Sequence, residues 1–195
     1  MRITNLKRTI IIFLMIGIIA VVPGCVRWPD GSEGEPEETD YQLRITIEVD
    51  GEINSDNEGF YYIVMDADGN SATGPEYDIS FWDDEYYYIK CDDGFFDFAQ
   101  VKDDSESTFY GGSISGNEIQ VIVALTDLED PNSIDINVVT TDTDNNPYDH
   151  LDSYFNIISN FLGVTVTRDD SADDSGDGGT DFDIVKVTAV ITTLY

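Results

Sequence analysis

The sequence predicts a mainly β protein: an antiparallel β-sandwich of roughly nine strands with one short helix. Three observations carry this expectation. Apolar and polar residues alternate at period two, short runs are rich in aromatic and β-branched residues, and clusters of Gly, Asn and Asp separate those runs. No β–α–β rhythm is present, which argues against a parallel doubly wound sheet. With 195 residues, 41% of them hydrophobic, the chain can bury one sizeable core but not two large ones.

The folded part is expected to begin near Tyr41. Leu43, Ile45, Ile47 and Val49 alternate with Arg44, Thr46 and Glu48, the pattern of a strand with one wet face. Further strands are expected over Phe60 to Met65, Tyr77 to Phe81, Tyr86 to Lys90, Phe95 to Val101, Ile119 to Leu125 and Ile134 to Val139. Cys91-Asp92-Asp93-Gly94, between two aromatic runs, reads as a tight hairpin turn with Gly94 at positive φ, and Ser115-Gly116-Asn117 reads as a second turn. Leu151, Tyr154, Phe155, Ile158 and Leu162 recur at helical spacing, with Asp149 placed to cap the start and Gly163 to end it. A helix is expected there, with a strand at Tyr154 to Ile158 as the alternative. Val164 to Thr167 and Phe182 to Leu194 close the chain as strands, the last one central, with Val185, Val187, Ala189 and Ile191 on one face and Phe182, Ile184 and Val190 on the other.

Before Tyr41 the chain changes character twice. Arg2, Lys7 and Arg8 precede an apolar run from Ile10 to Val22, which reads as a secretion signal over residues 1–24. The run is shorter than the ~20 residues that span a bilayer comfortably. Val22-Pro23-Gly24-Cys25 resembles the prokaryotic lipobox. That resemblance implies diacylation of Cys25, cleavage before it, and an extracytoplasmic protein anchored by lipid to the cell membrane or cell surface. An uncleaved signal anchor is the alternative. Residues 25–40 would then be the lipidated Cys and an acidic flexible tether, since 26–40 holds six acids with Pro and Gly and almost nothing to bury. Residues 41–195 form the expected single β-sandwich domain, interrupted by an acidic loop at 168–181.

Charge excludes some partners. The chain has 9 Lys+Arg against 40 Asp+Glu, a formal −31, so it lacks the cationic surface that nucleic acid requires, or that would hold anionic lipid through basic patches. Either a saline habitat or cation binding would account for such acidity. Loss of residues 1–24 would leave Cys91 as the only thiol besides Cys25, which excludes a disulfide framework; Cys91 reads as a small apolar strand residue.

Three constellations could carry function. Asp66, Asp68 and Asn70, and again Asp142, Asp144 and Asn146, place oxygen-bearing side chains at alternate positions after an apolar strand, as in the first half of a Ca2+ loop. Neither has the Gly and Glu of an EF-hand, so these are Ca2+ loops completed by other oxygens, for instance Asp149 or Asp152, or ordinary Asx-turns. Trp82, Tyr86 and Tyr88, with Tyr61 or Tyr62 beside them, are either a stacking platform for a ligand or sheet packing. Met65 and His150 are the one Met and one His beyond the signal segment, the pair that a haem sandwich would need, though both have simpler structural readings. No Gly-rich phosphate loop, nucleophile elbow or Cys–His pair is evident, which argues against an enzyme.

Tyr61 to Asn70, Gly74-Pro75, Trp82 with Tyr86 to Ile89, Ile119 to Leu128 and Ile136 to Asp142 together resemble the DOMON and family 9 carbohydrate-binding-module type of sandwich. The resemblance covers about residues 41–160 and implies a module that binds sugar or haem. The expected function is therefore a non-catalytic binding or accessory module, with a glycan or an envelope protein as its partner.

Overall fold

In the computed structural model, which describes residues 40–53, 59–103, 105–170 and 178–194, the first alternating segment is strand β1 (Tyr41–Val49). Leu43, Ile45, Ile47 and Val49 are fully buried, and Arg44, Thr46 and Glu48 point to the other side. Twelve strands form two sheets among the described residues. The smaller has the order β11 (Thr165–Asp169), β12 (Ile184–Thr193), β1, β7 (Glu118–Ala124), β6 (Gly112–Ser115). The larger runs β10 (Phe155–Ile158), β8 (Ser133–Asp142), β2 (Gly59–Asp66), β3 (Tyr87–Asp92), β4 (Phe95–Gln100), β5 (Ser107–Thr108), with β9 (Pro147–His150) also on β8. Every pairing is antiparallel. The core lies between the sheets, where Leu43, Ile45, Ile47, Ile119, Val121 and Ile191 belong to one cluster with Ile63, Met65, Ile89, Ile134 and Phe155. Each such side chain contributes about 1.5–3 kcal/mol by leaving water. This is an antiparallel β-sandwich.

Both expected turns close hairpins. Asp92 pairs with Phe95, leaving Asp93 and Gly94 at φ 49° and 76°, the two positive values of a type I′ turn. Ser115 pairs with Glu118 around Gly116 at φ 65°. Cys91 is buried on the inner face of β3, and burial pushes its thiol up to about 12.

Strand β12 is interior, flanked by β11 and β1. Its facing is not a simple alternation, because Glu48 pairs with Lys186 whereas Val49 pairs with Ile184. Val185 is the extra residue of a bulge, so Ile184 turns inward with Val187 rather than lying on the opposite face.

Two expected elements are corrected. Tyr77 to Phe81 is not a strand: the Asp78 carboxylate accepts from Ser80 N at 2.9 Å and from Ser80 Oγ at 2.6 Å, and starts a 3-10 turn, Ile79–Phe81. The helix over 149–163 does not form, and no α-helix occurs among the described residues. Instead β9 and β10 run in the same direction along one edge of β8. His150 pairs with Val139 and Phe155 with Ile136, so residues 151–154 bulge opposite 137–138. Phe155 and Ile157 are buried while Ile158, Phe161 and Leu162 are exposed, which is period two followed by a loop. The strand alternative at Tyr154 to Ile158 is the one that the chain adopts.

The signal segment, Cys25 and the tether through residue 39 lie outside the described residues, as does the middle of the acidic loop, 171–177. Arg168 and Asp169, placed in that loop by composition, belong to β11. Among the described residues no helix is long and apolar enough to cross a membrane.

Candidate functional site

The outward face of the larger sheet is the part of the molecule with the most unusual composition. Tyr62, Val64 and Asp66 on β2, Asp135, Asn137 and Val139 on β8, and Ala99 on β4 alternate with the core residues and so face away from the core, yet all are buried. The segment 67–86, which reaches Tyr62 through Trp82 and Asn137 through Pro75, joins neighbouring antiparallel strands β2 and β3, a task that two residues can perform. A connection this long, with only the single 3-10 turn Ile79–Phe81 as regular structure, points to a functional loop.

Three contacts tie the loop to residues outside it, and one bond within it fixes the indole: Trp82 Nε1 donates to Glu76 O at 2.8 Å. Asn137 Nδ2 donates to Pro75 O at 2.9 Å in a buried setting. Gly74 lies against the Tyr154 ring so closely that a Cβ there would come within 2.4 Å of it, which is why glycine stands at this position. Tyr77 stacks on His150, the ring centroids being 4.1 Å apart at 16°.

Trp82 thereby lies over the sheet. Its ring meets Tyr62 edge-on at 5.6 Å and 80°, and Tyr88 at 5.8 Å and 42°; Tyr62 and Tyr88 are 6.1 Å apart. Trp82 and Tyr88 are half-buried, so part of each ring stays open to solvent. Of the aromatic residues singled out by sequence, these two are brought together with Tyr62. Tyr86 is buried, with its hydroxyl donating to Gly74 O at 3.4 Å. Tyr61 faces the core and stacks on Phe182 at 5.0 Å. Tyr87 points inward, as alternation requires.

Beside Trp82 opens a cleft of about 420 Å³ lined also by Asp66, Asp68, Asp83, Asp84 and Glu85. A neighbouring cleft of about 590 Å³ shares Asp83 and Tyr86 and adds exposed Phe81 and half-buried Tyr154. Burial pushes the Asp66 carboxyl up to about 6, opposed by the hydrogen bond from Asp68 N and reinforced by the charges of Asp68, Asp135 and Asp83. Asp135, directly across the strand pair from Asp66, is also raised by burial, while Asn156 Nδ2 donates to it at 2.9 Å. The cleft is thus an acidic pocket with an aromatic wall. Sequence reasoning missed Asp83, Asp84, Glu85 and Phe81, whose only signal was their place between Trp82 and the aromatic strand.

The two Asp-x-Asp-x-Asn loops are Asx-turns in their hydrogen bonding. Asp66 Oδ1 accepts from Asp68 N at 3.0 Å, Asp68 Oδ1 from Asn70 N at 2.5 Å, and Asn70 Oδ1 from Ala72 N at 3.3 Å. Asp142 Oδ1 accepts from both Asp144 N and Asn146 N at 2.8 Å, and its Oδ2 from Asn146 Nδ2 at 2.7 Å, contacts that hold its carboxyl below the usual range. The loops cannot share an ion. Asp66 pairs with Asp135 and Asp142 with Gly59, so they stand at opposite ends of β2 and β8, roughly 20 Å apart at 3.3 Å per residue. Among the described residues no group of three or more His, Cys, Asp or Glu side chains is arranged to hold a metal ion. Asp149, named by sequence as a further oxygen, accepts from Ile184 N and His150 N.

Met65 and His150 are separated by the sheet. Met65 is wholly buried in the core, whereas His150 lies opposite outward-facing Val139 and under Tyr77. One iron cannot reach both.

The chain matches no family model, no curated protein and no solved structure.

Proposed function

We propose that the protein is a lipid-anchored, extracytoplasmic and non-catalytic binding module that holds carbohydrate on the outward face of its larger sheet. The observation that carries this reading is the position of Trp82. Its half-buried ring rests on Tyr62 and Tyr88 at the wall of a cleft whose other side is carboxylate. A sugar ring has an apolar C–H face, which a flat aromatic ring takes, and a rim of hydroxyl donors, which Asp68, Asp83 and Glu85 accept. The lipobox-like Val22 to Cys25 and the acidic stretch after it support the anchored location, and the resemblance to DOMON and family 9 carbohydrate-binding sandwiches supports the ligand class.

The non-catalytic part rests on what the reactive groups do. His150 is stacked under Tyr77 with Nδ1 3.0 Å from Leu151 O, and the Cys91 thiol is buried and held protonated. The test is glycan-array binding by the full-length protein in detergent, together with acyl labelling of Cys25. Retention of a defined glycan set, lost in Trp82→Ala, is the expected result. An array with no retained glycan would remove the ligand, and an unacylated Cys25 would remove the anchor.

A further inference from the structure

The loop between β10 and β11 carries Phe161, Leu162 and Val164, which are 56%, 44% and 53% exposed, next to Ile158 at 38%. Two tight turns shape it, Phe161 N donating to Ile158 O at 3.0 Å and Val164 N to Phe161 O at 3.3 Å. Gly163, at φ 70°, donates to Ile191 O at 2.8 Å. The apolar tip is therefore tied to the end of β12 and held outward rather than folded over the core. Three residues beyond Ile191, Leu194 is 49% exposed, and its N–H donates to Asp40 O at 2.7 Å. Tyr41 pairs with Thr193, and Thr165 with Val190. The exposed apolar side chains and the point where the N-terminal segment joins the domain thus share one end of the smaller sheet.

We propose that Phe161, Leu162 and Val164 insert into the surface of the bilayer that carries the Cys25 lipid, so that the domain is oriented on the membrane and does not merely hang from it. This docking rests on the lipid-anchored reading above. Single exposed apolar residues are ordinary, but three within four positions at a pinned tip, with Ile158 beside them, make a patch that a soluble surface does not favour. Asp40 follows Cys25 by fifteen residues, a chain that cannot exceed about 50 Å when extended, so the lipid surface stays within reach of this end. With 9 Lys+Arg against 40 Asp+Glu, the chain offers anionic headgroups little cationic surface. Apolar burial is then the attractive force, and a zwitterionic lipid surface is the occupant that fits.

The experiment uses full-length, acylated protein in phosphatidylcholine vesicles, with an environment-sensitive fluorophore on Asn160→Cys in the tip or on Glu118→Cys at the opposite end of the sandwich; buried Cys91 stays unlabelled. Spin-labelled lipid is expected to quench the Asn160 probe several-fold more than the Glu118 probe. Adding Phe161→Ser and Leu162→Ser, both exposed positions, should bring the two signals together. Equal quenching at both sites in acylated protein overturns the docking and leaves the anchor standing. An Asn160 shift that follows protein concentration and ignores lipid also overturns it, in favour of a second copy as the occupant. Absence of acyl label on Cys25 overturns the anchor itself.

Discussion

The Asp149 carboxylate, on an edge strand of the larger sheet, accepts a 2.6 Å hydrogen bond from the backbone N–H of Ile184 in the smaller sheet. Its other oxygen accepts from His150 N at 2.7 Å. Beside it Thr140 Oγ1 donates to Phe182 O at 2.8 Å, so polar bonds join the two layers at this end, where the β12 bulge lies.

Asp149→Ala removes the acceptor of Ile184 N–H, and a donor stranded there is expected to cost about 1–3 kcal/mol, several degrees of Tm. Asp149→Asn retains an acceptor oxygen and should lose clearly less. Thermal denaturation of the two variants checks this. Equal stability of Asp149→Ala and the native chain would mean that the bond contributes nothing.

The protein should become more stable as pH falls from 7.5 to 5. Asp66 and Asp149 are both raised to about 6, first by burial, from an ordinary value of 3.8. Because the folded state binds these protons more tightly than the unfolded one, their contribution is fully present below about 4 and is lost as pH rises through about 6. Asp78 and Asp142 are lowered from 3.8 by local hydrogen bonds and act in the opposite sense, but only below about 4, outside this range. Asp66→Asn, which keeps an acceptor for Asp68 N, should raise Tm at pH 7.5 and flatten the profile. A Tm that falls between pH 7.5 and 5 would contradict this assignment.

Calcium should have little effect on Tm. The Asp66 and Asp142 loops are closed by their own backbone N–H groups and stand at opposite ends of the sheet. Calorimetry with saturating Ca2+ and with EDTA should give the same transition. A rise with Ca2+ that disappears in Asp68→Ala or Asp144→Ala would make one of these loops an ion site.

The sandwich was legible in sequence wherever one face of a strand is buried, because period-two patterning at Leu43 to Val49 or Ile119 to Val123 has no other reading. It failed where local chemistry or pairing replaces periodicity. Asp78 diverts an aromatic run into a 3-10 turn, and the break between β9 and β10 brings Leu151 and Phe155 to helical spacing within an edge strand. The β12 bulge reverses the facing of Ile184, and a bulge leaves no mark in composition. At the candidate site Trp82 and Tyr88 were visible as neighbouring aromatic rings, Tyr88 on a strand and Trp82 just before it. The acidic wall was not, because in a chain with 40 acids no single carboxylate stands out, and only the path of the 67–86 loop gathers Asp83, Asp84 and Glu85 beside Asp66.

Carbohydrate binding on this face turns on Trp82, and the affinity of Trp82 variants for a glycan retained on the array is the measurement that decides it. Full-length native protein, Trp82→Phe and Trp82→Ala should be titrated with that glycan, with Tm recorded for each. The expected result is at least tenfold weaker binding for Trp82→Ala, recovery of most of the affinity in Trp82→Phe, and a folded transition in all three. Unchanged affinity in a folded Trp82→Ala protein would contradict the account and move the binding surface away from the outward face of the larger sheet.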